Sequence, residues 1–484
     1  MALLFTDPLF ILFVGIVIVV VGIIGLKLHP FLALLLGALA VAMMTPGSVI
    51  EQYAIAKGAT AKAAHELSHK SIGERVAIEF GNTCGKIGII IAMASIIGKC
   101  LLESGAAERI IRSVLRFTGI DKAPAAFLVS SFLIGIPVFF DTVLFLMVPL
   151  AKAMSMRIGK NYLLLVLCIM AGASMANSLV PPAPGPLFLV GEMHVPMGMM
   201  MIGGIVLGLI NITAAYIFAS WANKKWPIPL RDSIDARLAD IKLASEKETA
   251  NLPNIFFSLM PIVIPFLLIC INTILTSIPA AQLKTPYVFL NELINAVKFI
   301  GDKNISLVIG GLVALLLLAI HKKSSKEEMS ASMHTALMSG GSIILIIAAG
   351  GAFGGMLQQS GISVRIAELT KNYQIALIPL AFIITAVVRT AQGSATVSLI
   401  TASGILSGMA SGSNLGYHPL YLCLAIGCGA KLITWMNDSG FWLICKTSNL
   451  TEKEALKTVT PLLAVMGITG IIVIMIAARL LPLI

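Results

Sequence analysis

The sequence has 484 residues, 58% of them hydrophobic and 12% charged, where an ordinary soluble chain carries roughly 25% charged residues. A water-soluble fold cannot hide that much apolar surface, so lipid is the expected surrounding of most of the chain. The formal net charge of +11 does not point to nucleic acid. The Lys and Arg residues lie mainly in short connections between apolar runs, where the positive-inside rule puts them.

The first apolar run, Pro8 to Leu26, follows a start without Lys or Arg, so it reads as a retained span and not a cleaved signal. In the polar stretch from Glu51 to Glu74, His65 and His69 stand at i, i+4 spacing without the flanking ligands of a known metal motif. This stretch reads as a solvated helical face, and no metal site is expected. The connection from Ala106 to Lys122, with Arg109, Arg112 and Arg116, reads as a cytoplasmic loop. A span over Met197 to Trp221 leads into a hydrophilic linker, Asn223 to Pro253, with six basic and five acidic residues. Ile255 to Ser277 and Ile305 to Ile320 then form an out-and-back pair that returns to a basic connection at Lys322, Lys323 and Lys326. After a cytoplasmic connection with Lys446, Lys453 and Lys457, the run Val459 to Leu481 is the last span. This count leaves both termini outside. It divides the chain into N-terminal spans and an external loop (1–73), a first transmembrane repeat (74–222), a cytoplasmic linker (223–253), connecting spans (254–332) and a second repeat (333–484). The seven cysteines are odd in number, lack a CxxC pair and read as packing residues.

An internal repeat organises the chain. Gly98, Leu101, Ser104, Gly105, Arg109 and Ile110 recur as Gly354, Leu357, Ser360, Gly361, Arg365 and Ile366, so both segments read GxxLxxSGxxxRI. By the loop count the two copies face opposite sides. The expected fold is an all-α polytopic membrane protein of two inverted-topology repeats with broken helices or re-entrant hairpins.

Each repeat holds two places where helix breakers meet polar residues inside apolar surroundings. These are Gly135 to Thr142 and Met175 to Pro186 in the first, and Arg389 to Ser398 and Thr434 to Gly440 in the second. Such breaks survive at membrane depth only where protein buries them or an aqueous cavity meets them, and broken helices there form substrate and ion sites. An intramembrane carboxylate is costly, which makes Asp141 a candidate for proton coupling. The alternative is a structural acid paired with Arg or a backbone amide. Asp438 has the same two readings, with helix capping added. Arg389 and Lys431 are candidate cations for a carboxylate substrate, although long side chains at span ends also snorkel to water. Asn177, Ser178, Ser394, Thr396, Asn437 and Ser439 offer donors and acceptors for a polyhydroxylated substrate; singly, each also suits a helix–helix bond or a cap.

The strings GIPVFFDT around Asp141, SLVPPAPGP from Ser178, GSATV from Gly393 and MNDSGFW from Met436 occur in an order that resembles the gluconate:proton symporter family, within the broader ion-transporter superfamily. The resemblance covers nearly the whole chain. It implies scaffold and transport parts, a homodimer in the membrane lipid, and proton-coupled uptake of an aldonate, a related sugar acid or D-serine across a bacterial inner membrane, without a cofactor. Two departures stand out: Asn177 replaces a frequent His, and Ala183 a frequent His or Thr, and neither residue titrates near neutral pH. Among other classes, an enzyme would need a nucleophile–base pair or metal cluster, and no HExxH, GxSxG or Walker string appears. A passive channel would not need repeats with broken segments and an intramembrane acid.

The charge distribution predicts a cytoplasmic linker. A cysteine at position 240, in a Cys-free background, is expected to resist membrane-impermeant labelling in sealed right-side-out cells, and strong labelling would invert the topology.

Overall fold

The computed structural model describes residues 7–56, 58–230, 252–278, 288–322, 325–362, 376–412, 415–435 and 438–483, and no β-strand occurs among them. Prolines in the first turn start α1 (Pro8–Val20) and α2 (Pro30–Met44), whose N-caps Asp7 and His29 accept from the N–H two residues ahead. The single span expected from Pro8 to Leu26 is interrupted: α1 gives way to a π-turn at Val21–Gly25. After Pro46 the chain turns by 101° from α2 into α3 (Gly47–Ala56), and α4 (Ala61–His69) follows.

The first repeat comprises α5 (Ile72–Glu103), α6 (Ala106–Thr118), α7 (Ala123–Ile134), α8 (Phe140–Ile158), α9 (Tyr162–Leu179), α10 (Pro184–Glu192) and α11 (Met197–Lys225). The connecting helices are α12 (Ile255–Ser277), α13 (Val288–Ile300) and α14 (Lys303–Lys322). The second repeat comprises α15 (Lys326–Gln359), α16 (Leu377–Gln392), α17 (Ala395–Gly412), α18 (Leu420–Gly429), α19 (Ser439–Ser448) and α20 (Glu452–Leu480). Among the described residues seven helices are long and apolar enough to cross a membrane, or eight if the bent α2–α3 pair is one span. The segment from Ala106, read as a loop, is instead the amphipathic helix α6. Ala106, Ala107, Ile110 and Ile111 turn inward, and Glu108 pairs with Arg112 at 2.6 Å.

The repeat is structural. α5 and α15 both end on a serine in right-handed helical geometry followed by a glycine at φ +76° (Gly105) or +78° (Gly361), a left-handed turn that glycine adopts without steric cost. Arg365 and Ile366 lie outside the described residues. From there α7 to α11 correspond in order to α16 to α20. The two long helices that open the repeats run antiparallel. Arg75 Nη1 donates to Gln359 Oε1 at 3.1 Å near one end, and Ser332 Oγ donates to Glu103 Oε2 at 2.5 Å at the other. Between them Gly351 lies against Thr83 and Gly340 against Ser95, so closely that a Cβ would collide with either hydroxyl. Equivalent helices running in opposite directions make these inverted repeats.

The halves interlock as α10 packs on α17, α8 on α19, and α11 on α20. The apolar unit α9–α10 is 94% buried, against 28% for α12 and 33% for α14, so α9–α10 forms the centre. The stripes Leu312, Leu316, Ile320 on α14 and Ile468, Ile472, Ile476 on α20 are exposed at i, i+4 spacing and suit lipid contact.

Candidate substrate site

The four helix breaks meet. A cavity of about 490 Å³ lies between them, within the usual range for a small-molecule site. The α7–α8 break contributes Phe139, Phe140 and Asp141, and the α9–α10 break Asn177 and Pro184. Ser394 to Val397 come from the α16–α17 break, and Lys431, Thr434, Asp438 and Gly440 from the α18–α19 break. α15 closes one wall with Ser339 and Ser342.

Four helices therefore begin at one space: α8, α10, α17 and α19. Helix N-termini carry partial positive charge and unpaired N–H groups, which favours an anion. Two of the four hold an acid of their own. Asp141 sits in the first turn of α8, and Asp438 caps α19 by accepting from Gly440 N at 2.7 Å. The first turns of α10 and α17 contain none.

The two candidate cations differ. Arg389 is 4% exposed: its Nε donates to Ala430 O at 3.1 Å, and its Nη2 donates to Thr434 Oγ1 at 3.2 Å and to Asp438, with which it forms an ion pair. This is a buried crosslink between two breaks, not an anchor at the membrane surface. Lys431 is 3% exposed, and its Nζ donates to Ser174 O at 2.6 Å and Ser174 Oγ at 2.7 Å. Among the described residues no carboxylate pairs with it. Lys152 on α8 is likewise buried but does not line the cavity.

Of the other residues singled out in the sequence, Asn177, Thr396 and Ser394 line the cavity. Ser394 Oγ also accepts from Val397 N at 3.3 Å, which caps α17. Ser178 turns away: it is fully buried outside the cavity, with no hydrogen-bond partner for Oγ among the described residues. Asn437 lies outside the described residues, and Ser439 opens α19 beside Gly440. Asp141 lines the cavity, and no described residue pairs with it, so the pairing weighed as its structural alternative does not occur among the described residues. Sequence reading placed Thr434 in a break without giving it a role, and missed Ser174, Ser339 and Ser342. Ser174 precedes Asn177 by three residues and Ser339 precedes Ser342 by three, a helical spacing that puts each pair on one face. Away from the cavity, Glu51 on α3 brings a carboxylate within 2.8 Å of exposed His65 beside His69, a neighbour absent from the local sequence pattern.

Inverted repeats whose broken helices enclose a polar cavity define a membrane permease of the secondary-transporter class. The GntP family permease model matches residues 7–480, and the chain belongs to that family. It is 28% identical to a gluconate permease of Pseudomonas aeruginosa over 93% of this chain and 92% of that one. A gluconate permease of Bacillus licheniformis is 29% identical (96% and 98%), and the inner membrane permease YgbN of Escherichia coli 30% (95% and 96%). Among solved structures, the YdaH transporter of Alcanivorax borkumensis shares the fold with a TM-score of 0.62 at 13% identity, covering 86% of this chain and 91% of that one.

Removing one partner of a buried ion pair leaves the other charge uncompensated, at a cost of about 3–5 kcal/mol. Asp438→Asn is therefore expected to lower the thermal unfolding midpoint in detergent, with partial recovery in Asp438→Asn/Arg389→Gln. Equal midpoints for Asp438→Asn and wild type would show that the pair contributes no stability.

Proposed function

We propose that this permease imports gluconate or a related sugar acid together with protons, across a bacterial inner membrane. The observation that carries this reading is Lys431, a buried amine facing the cavity whose charged form has no carboxylate partner among the described residues. A substrate carboxylate at Lys431 supplies the missing counter-charge, and the N-termini of α10 and α17 add to the field. Ser174, Asn177, Ser339, Ser342 and Thr396 then offer hydrogen bonds to a chain of hydroxyls. Arg389 supports the site's shape, since its charge is already met by Asp438. The family relatives named gluconate permeases favour the aldonate. Asp141 supports a second reading: its free carboxylate suits the ammonium of D-serine, whose own carboxylate would take Lys431.

The repeats also differ in register, which supports alternating access. A Cβ at Gly98 on α5 would lie 3.1 Å from Pro137 O, in the α7–α8 break. At Gly354, its equivalent on α15, a Cβ would lie 2.9 Å from Cα of Gly404, well along α17. By the repeat alignment, Gly404 corresponds to Val148. Exchange of the two registers, a helical slide of about 15 Å, would bring α8 near Val148 against Gly98 in the opposite state. Cysteines at 98 and 148 are thus expected to crosslink in a substrate-dependent manner and stop transport; no crosslink under any substrate condition contradicts the exchange.

Proteoliposomes carrying the protein are expected to concentrate gluconate on an imposed pH gradient, ahead of D-serine and dicarboxylates. Lys431→Gln should raise the half-saturating gluconate concentration about 10–100-fold, the loss of a charged hydrogen bond of roughly 1.5–3 kcal/mol. Unchanged affinity in Lys431→Gln places the carboxylate elsewhere, and preferred uptake of D-serine selects the second reading.

A further inference from the structure

The sequence reading offers two carboxylates for the coupled proton, and the cavity holds a further titratable group, Lys431. Asp438 is held by Arg389 and by the Gly440 amide. Asp141 lines the cavity from the first turn of α8, and no described residue holds its carboxylate. Lys431 differs from both. Its Nζ has two oxygen acceptors, both on Ser174 of α9, for the three hydrogens of an ammonium. The charged and titratable groups around it are Arg389 from α16, which adds repulsion; Cys428 one turn back on α18, bonded to Asn211 of α11; Asp438 in the same break; and Asp141 across the cavity from α8. α20 meets its stem at Gly467, and α15 faces the cavity with neutral Ser339 and Ser342.

We propose that Lys431 carries the coupled proton, gaining it as the substrate carboxylate arrives and returning it to water as the anion leaves. This rests on the symport reading above. The step balances: neutral amine, one aqueous proton and one carboxylate anion become an ammonium–carboxylate pair, and release on the other side reverses it. An ammonium held away from water without a counter-ion is costly, as is a buried carboxylate beside a neutral amine. The empty amine and the paired complex are the two states without an uncompensated charge at this position. Those are the states able to exchange conformations, so neither the proton nor the anion crosses alone. A guanidinium does not serve here, because it stays charged.

The test is proton uptake on binding by the purified full-length protein, with gluconate added in a weakly buffered detergent solution containing a pH indicator. Wild type is expected to take up about one proton per bound gluconate at alkaline pH, declining at acid pH where Nζ is already protonated. In Lys431→Arg the proton-to-gluconate ratio of whatever binding remains should fall close to zero, while Asp141→Asn keeps the wild-type ratio. If Lys431→Arg binds or folds too poorly to titrate, Ser174→Ala decides, since loss of one of the two oxygens at Nζ should move the pH of half-maximal uptake. No proton uptake by wild type, an undiminished ratio in Lys431→Arg, an abolished ratio in Asp141→Asn, or an unmoved midpoint in Ser174→Ala would each overturn the role of Lys431. The symport reading fails by a different observation, namely wild-type vesicles that do not concentrate gluconate on a pH gradient.

Discussion

A helix that breaks inside a membrane frees carbonyl and amide groups that lipid cannot satisfy. Here the breaks satisfy one another. Arg389 from the α16–α17 break donates to Ala430 O in the α18–α19 break, and Trp435 from that break donates back to Thr390 O at 3.0 Å. Thr460 on α20 donates to Thr434 O, and Lys431 reaches Ser174 O on α9. These crosslinks hold the interrupted segments around a shared space, and the cavity follows from them. Its polarity is that of groups already needed to support the backbone, and Lys431 adds an amine whose charged form they leave unmatched.

The division of labour between the two cations sets the chemistry. Arg389 and Asp438 form a buried pair whose worth is positional, because such pairs seldom add net stability over well-packed apolar residues yet are expensive to break. The pair fixes the N-terminus of α19 against the end of α16. Lys431 stands one residue beyond Ala430, whose carbonyl Arg389 holds, so the lysine is positioned by a crosslink it does not form itself. The antiparallel α5–α15 seam contributes a small-residue surface and the polar wall of α15. The α9–α10 unit contributes Ser174, Asn177 and Pro184 from the most buried part of the protein.

Much of this was legible in the sequence, because breakers and polar groups inside apolar runs violate what lipid permits and so mark themselves. All four breaks, the repeat and most of the cavity-lining candidates were readable on that ground. Direction was harder. Asn177 and Ser178 are neighbours, yet a helix turns about 100° between them, and Asn177 alone faces the cavity. The Arg389–Asp438 pair joins residues 49 apart in sequence, with no local pattern to announce it. Ser339 and Ser342 sit on an unbroken helix, where a serine pair looks like ordinary helix packing. The segment from Ala106 read as a loop because its arginines drew attention from the Ala106, Ala107, Ile110 and Ile111 stripe that makes α6 amphipathic.

The central claim is that the substrate carboxylate sits at Lys431 while Asp438 stays with Arg389. A cryo-EM structure of the protein in lipid nanodiscs with saturating gluconate tests it directly. The account predicts density in the cavity with the carboxylate within hydrogen-bond distance of Lys431 Nζ and the Arg389–Asp438 pair intact. A carboxylate bound to Arg389 with Asp438 displaced, or gluconate density outside the cavity, would contradict it.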